Sequence, residues 1–277
     1  MSRTKIKIKD SNIAHCSSTS MHFNPTHFDW VRDNEPVDEF TIISDSDVTN
    51  YGLGIVWMLE PRSVVSDKYA YVEGNYNKFN KILTYDKRLL EKCPNAKMLE
   101  FGSTRLTSEQ IKLHPKSRLC SMMASQKSWT TGHIFRHKCV NECQTNFKDK
   151  VDLFIANGYN YIDKFDACEK YMFSIVVENG KFDYYFSEKL IDCLLSGVVP
   201  IYWGCPSIGD FFNTDGMLIF DDINDLNEIL NNISKEEYIK RKDAIKENFE
   251  KAHKYMITED RMFDLYSEVF GWENNKI

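Results

Sequence analysis

The chain has 277 residues, 42% of them hydrophobic and 13% aromatic, a length and composition that predict two packed domains and exclude a disordered chain. A net charge of -6 and an isoelectric point near 5.7 exclude the basic footprint of a nucleic-acid-binding protein, so an anionic ligand would have to be held by a few placed bases. No run of about 18 apolar residues predicts a membrane span, and the basic start "MSRTKIKIKD" lacks the apolar core of a signal peptide. Eight cysteines scattered through apolar segments predict buried, reduced thiols and a cytoplasmic protein.

In chain order, "MSRTKIKIKD" reads as an alternating edge strand. "FTIISD" (40–45), "GIVWMLE" (54–60), "KILTYD" (81–86) and "AKMLEFG" (96–102) read as short apolar strands that end at Asp45, Glu60, Asp86 and Gly102. In open α/β sheets ligands bind at such carboxyl ends. "DKRLLEKCP" reads as a helix stopped by Pro94. The polar, proline-containing "LHPKS" (113–117) predicts a boundary, giving domains 1–115 and 116–277, with the last helix free to pack back on the first domain. The second half repeats the rhythm: strand "RLCSMMAS", helix "GHIFRHKCVNEC", strands "KVDLFIANG" and "KYMFSIVVEN", a helix from Ser187, strand "VVPIYWG" and two closing amphipathic helices. The expected fold is α/β, with two Rossmann-like doubly wound domains facing across a cleft.

The segment from 171 to 204 concentrates the chemistry. Its first strand ends in Glu178-Asn179; Ser187 is a good N-cap; Glu188 and Lys189 fill the first helical turn; Gly197 suits the left-handed position after the helix. The next strand ends in Trp203-Gly204, so Glu178, Asn179, Tyr185, Glu188, Lys189 and Trp203 are expected to converge at one sheet edge. A helix N-terminus favours phosphate, and Lys189 adds a point charge. A carboxylate beside it suits vicinal ribose hydroxyls. The plainer alternative makes Glu188 a helix-dipole partner and Lys189 solvated surface. Arg136 offers a guanidinium fork for a diphosphate, or is an ordinary helix-surface arginine.

The stretch "KYMFSIVVENGKFDYYFSEKLIDCLLSGVVPIYWGCPSIGDFFN" resembles the signature segment of the α1,3-fucosyltransferases, glycosyltransferase family 10. The match is ungapped, with Ser187 in place of a threonine and Phe186 in place of a valine. The resemblance implies a GT-B fold and inverting, metal-independent transfer of fucose from GDP-fucose to a glycan hydroxyl. It implies that Glu188 binds the ribose, that Lys189, Tyr185 and Arg136 meet the diphosphate, and that Asn179 and Glu178 line the donor sugar. It places the general base at Glu60, which could instead be a strand-end residue paired with Arg62. No metal and no cofactor beyond the donor substrate is expected.

Other motifs compete. Asp45 and Asp47 in "ISDSDV" form the Asp-x-Asp of a metal-dependent glycosyltransferase, or simply cap a turn. His133 and His137 share a helix face and make a conceivable zinc pair, but read better as neighbours of the diphosphate, with Cys139 and Cys143 in the core. A module that binds a nucleotide sugar or glycan without turning it over is the alternative to an enzyme.

Overall fold

A computed structural model describes residues 4–11, 16–156 and 163–267, which form two compact units. The N-terminal unit takes in positions up to Ser103, together with Asp183–Tyr185 and the chain from Ile257. Its elements are β1 (Thr4–Lys9), β2 (Phe28–Val31), β3 (Ile42–Ser44), β4 (Ile55–Trp57), α1 (Ser66–Asn75), β5 (Lys81–Thr84), α2 (Lys87–Lys92) and β6 (Ala96–Met98). The sheet is parallel throughout, in the order β2-β1-β3-β4-β5-β6. β1 is therefore not the expected edge strand, because β2, which carries no clear strand pattern, pairs along its outer side. Side chains alternate between two cores. Ile42, Ile55, Trp57 and Leu83 pack on one face, and Ile43, Val56 and Ile82 on the other with Tyr69 and Val72 of α1. Both faces are covered, which is why these strands read as continuous apolar runs.

The C-terminal unit holds β7 (Arg118–Ser125), α3 (Thr131–Asn146), β8 (Val151–Ala156), β9 (Tyr171–Val177), α4 (Glu188–Leu195), β10 (Val199–Trp203), β11 (Leu218–Ile219), α5 (Ile223–Asn232), α6 (Lys235–Lys240) and α7 (Lys242–Ala252). Its parallel sheet runs β11-β10-β9-β7-β8. From β7 the chain moves to one side to make β8, then crosses back to make β9 on the other. The strand order therefore reverses between β7 and β9, and a crevice opens at such a switch point beyond the strands' carboxyl ends. β9 and β10 are buried along their whole length. The expected single helix over 235–256 is broken at Arg241, whose guanidinium turns back onto the carbonyl and carboxylate of Glu237. Cys120, Cys139 and Cys143 lie in one core of this unit, Cys168, Cys193 and Cys205 in the other, all as free thiols.

The chain's contacts divide it after Ser103, ahead of the 115/116 division read from the sequence. The reason is tertiary. The Thr104 hydroxyl (2.7 Å) and the Arg105 N–H (2.9 Å) donate to the buried Asp192 carboxylate on α4, and Leu106 enters the C-terminal core. The last helix, α8 (Thr258–Tyr266), belongs to the N-terminal unit, where Glu259 accepts from the Thr19 N–H and hydroxyl and Arg261 pairs with Glu100.

Lys116, within the polar "LHPKS", is a half-buried clamp. Its ammonium donates to the carbonyls of Cys168 (3.0 Å), Glu169 (3.1 Å) and Ser196 (2.6 Å), and burial brings its pKa down to about 8. Lys116→Met strands three carbonyls and is expected to cost roughly 2–3 kcal/mol, the scale of losing charge-assisted hydrogen bonds. Urea unfolding checks this; an unchanged midpoint would remove Lys116 from the structural role.

Candidate functional site

The carboxyl end of β9 is where two helices begin. Gly132, in the first turn of α3, donates its N–H to the Asn179 carbonyl at 3.2 Å. A Cβ at position 132 would stand 2.0 Å from the Glu178 carbonyl oxygen and 2.5 Å from Asn179 C, so only glycine lets α3 start this close to the strand. The helix is capped reciprocally. The Thr130 hydroxyl accepts the His133 N–H at 3.0 Å, while His133 Nδ1 accepts the Thr130 N–H at 3.4 Å. One turn on, the buried Arg136 donates Nε (3.1 Å) and Nη2 to the Val177 carbonyl, and Nη2 also to Asn179 Oδ1 (3.2 Å).

Helix α4 is tied to the same strand end. Glu178 is fully buried, and its carboxylate accepts the Ser187 N–H (2.9 Å) and hydroxyl (2.6 Å). Ser187 is the N-cap, its oxygen accepting the Lys189 N–H, and the Lys189 ammonium folds back to Ser187 Oγ (3.0 Å) and Glu188 Oε1 (3.3 Å). The helix closes with Gly197 at φ 70°, where the N–H of Val198 reaches Cys193 O and that of Gly197 reaches Leu194 O, a Schellman motif. Lys164, for which the sequence carries no motif, donates to Glu188 Oε1 at 2.7 Å. Burial pushes the Glu188 carboxyl up, but Lys164, Lys189 and Arg105 outweigh it and hold the group well below the usual carboxylate range. His133 is lowered as well, which for a base means loss of charge: burial first, then Arg136, Lys127, Lys189 and His137, bring its pKa down to about 4.

Arg136, Glu178, Asn179, Ser187, Glu188 and Lys189 thus share one strand end in the C-terminal unit. Lys164, Lys189 and Arg105 surround the Glu188 carboxylate, Lys189 also reaches Glu178 Oε2 (3.6 Å), and Arg136 holds Val177 and Asn179, in a chain whose overall charge is -6. Two helix N-termini, each equivalent to about half a positive charge, add to the field. Chemically, such cations and helix N-termini can hold an anion beside a carboxylate acceptor.

Other residues are placed differently. Tyr185 is 2% exposed and lies against Tyr85 (centroids 5.2 Å apart) in the N-terminal unit. Trp203 does end β10 at the same sheet edge, where its carbonyl accepts the Glu178 N–H (3.0 Å), while its ring packs on Phe135 and donates Nε1 to the Asp221 carbonyl. The His137 ring nitrogen Nε2 bonds the Lys127 carbonyl. Glu60 follows β4, and Arg62, the pairing partner considered for it, is instead bound to Asp86 (2.7 Å). The Asp45 carboxylate is buried and accepts the N–H groups of Leu59 (3.0 Å) and Glu60 (2.7 Å); burial raises its pKa to about 6. Asp47 accepts the N–H and hydroxyl of Ser11. The two aspartates thus tie distant segments to the end of β3: Asp45 holds the Leu59–Glu60 backbone and Asp47 holds Ser11. Among the described residues, no three or more His, Cys, Asp or Glu side chains are grouped to hold a metal ion, and no helix is long and apolar enough to cross a membrane.

No family model matches the chain. A 76-residue stretch, 27% of the chain, is 34% identical to the α-(1,3)-fucosyltransferase FucT of Helicobacter pylori. What the chain resembles over that stretch is an α1,3-fucosyltransferase. The stretch spans 16% of that relative's length. A solved α1,3-fucosyltransferase with GDP is similar over 100% of this chain and 92% of its own, at 16% identity and a TM-score of 0.58. Anabaena HepE in complex with UDP is similar over 96% of this chain and 99% of its own, at 7% identity and a TM-score of 0.60. The fold of the chain is therefore the two-domain, Rossmann-like GT-B fold.

Two consequences are measurable. Gly132→Ala should destabilise the protein by roughly 2 kcal/mol or more, because the strand end is backbone and cannot yield as a side chain would; denaturant unfolding reads this. His133 titrates at about 4 in the folded chain against an ordinary 6.5. Between those values the unfolded chain takes up a proton that the folded one refuses, so stability falls as pH drops through the window. His133→Gln should flatten that decline, and an unchanged pH slope would refute the assignment.

Proposed function

We propose that the chain is an inverting, metal-independent glycosyltransferase that moves fucose from GDP-fucose to a glycan hydroxyl, in the cytoplasm, where its unpaired thiols stay reduced. The observation that carries this is the cationic strand end itself. Lys189, in the first turn of α4, stands beside an ionised Glu188, and Arg136, one turn into α3, grips the end of β9 at Val177 and Asn179, in an otherwise acidic chain. The cations suit a diphosphate, and Glu188 suits the vicinal hydroxyls of a ribose. The likeness to α1,3-fucosyltransferases, one of them solved with GDP, supports guanosine diphosphate as the carrier.

In this reading Glu60 takes the proton from the acceptor hydroxyl as its oxygen attacks the anomeric carbon. The bond from that carbon to the β-phosphate oxygen breaks with inversion. The charge developing on GDP is met by Arg136, Lys189 and the two helix dipoles, the role a divalent cation fills in metal-dependent enzymes. Glu178 and Asn179 border the sugar through the backbone they hold rather than through a free carboxylate, since that of Glu178 is engaged by Ser187.

Turnover of GDP-fucose with a panel of glycan acceptors tests the reading. Glu60→Gln should lower transfer by about 10²-fold or more, the usual contribution of a general base, while leaving GDP affinity intact. A fully active variant would sink the base assignment. EDTA should leave turnover unchanged; inhibition reversed by Mn²⁺ would favour the Asp45/Asp47 alternative. Donor binding without turnover on any acceptor would favour a catalytically silent binding module.

A further inference from the structure

Glu188 receives more positive charge than its place in the helix requires. A carboxylate in the first turn is already favoured by the helix dipole. Yet both the Lys164 ammonium, at 2.7 Å, and the Lys189 ammonium, at 3.3 Å, are bound to it, and to the same oxygen, Oε1. The contact is not a loose surface pair, for which little energy would be expected. The Lys164 and Glu188 side chains are 27% and 15% exposed. Lys164 also sits on an anchored element: it opens a short 3-10 helix, Lys164–Ala167, capped by Asp163 through the Phe165 N–H (2.9 Å). That helix is fastened to the C-terminal sheet where the Ser121 hydroxyl of β7 donates to the Ala167 carbonyl at 2.5 Å.

We propose that Lys164 is a positioning and specificity residue for the ribose of the bound nucleotide: by clamping Oε1 it fixes the Glu188 carboxylate so that Oε2 accepts from the sugar's vicinal hydroxyls. The inference rests on the nucleotide reading above and adds to it the residue that makes Glu188 selective. A carboxylate offers about four acceptor positions, and two ammonium groups fill those of Oε1. The two acceptor positions of Oε2 are then held at fixed orientations by a neighbour on an anchored element. Lys189 cannot supply this alone, because its ammonium is shared with Ser187 Oγ (3.0 Å) and the Glu178 carboxylate (3.6 Å).

Calorimetric binding of GDP and of 2′,3′-dideoxy-GDP to the wild type, Lys164→Met and Lys164→Arg separates the possibilities. The wild type should prefer GDP by about tenfold or more, as expected for a hydroxyl donating to a charged acceptor. Lys164→Met should weaken GDP by roughly fivefold to tenfold and leave the dideoxy nucleotide unchanged, so that the preference collapses, while Lys164→Arg keeps most of it. Equal losses for both ligands, or none for either, overturn the inference and leave the nucleotide reading standing. A wild type that binds neither overturns both. A wild type that binds both equally removes the ribose contact. Thermal unfolding of each variant confirms that the folded protein was measured, and Lys164→Arg supplies a folded comparison if Lys164→Met unfolds.

Discussion

The pairing of Glu178 with Ser187 is the interaction on which the rest of the candidate site depends. A fully buried carboxylate is costly unless its oxygens are satisfied, and here the N–H and hydroxyl of one serine satisfy them. The same serine caps α4, so the end of β9 and the start of the helix are joined through a single residue. Glu188 and Lys189 are delivered to the strand end because they are the next two residues. From the other side, α3 approaches so closely at Gly132 that Arg136 reaches the last carbonyl of β9. One strand end therefore dictates the position of both helix N-termini.

Charge is distributed with equal economy. A chain that is acidic overall collects arginines and lysines at one place, and burial sharpens their effect by excluding the water that would screen them. Glu188 stays ionised against burial because the cations around it outweigh desolvation, whereas His133, close to the same cations, is kept neutral by desolvation and repulsion acting together. The two groups respond oppositely to one field, as their opposite charges require.

The N-terminal unit shows a related economy around Glu60. The N–H groups of Leu59 and Glu60 are both bound by Asp45, the Leu59 carbonyl accepts from the Tyr85 hydroxyl (3.1 Å), and the Glu60 carbonyl accepts from the Tyr69 hydroxyl (2.9 Å). Every backbone polar group of this two-residue turn is held by a buried side chain, which leaves it little freedom. Asp45, one carboxylate of the competing Asp-x-Asp motif, is the foundation of the turn that carries Glu60.

What the sequence determined by itself was the local and the periodic. Apolar runs ending at polar residues marked nearly all the strands, Ser187 and Gly197 marked the two ends of α4, and the spacing from Glu178 to Lys189 marked the candidate site, because caps, turns and periodicity act over a few residues. β2 was not legible, since a four-residue strand on the sheet's outer side has too short a pattern to stand out. Nor was the packing of residues 104–115 on the C-terminal unit, which depends on Asp192 far along the chain. The partial burial of Lys116, the consumption of Glu178 by Ser187 and the arrival of Lys164 at Glu188 were decided only by tertiary structure. In each, a side chain's role was set by which distant group it met and how much water was excluded when they met, and neither quantity is written in the neighbouring residues.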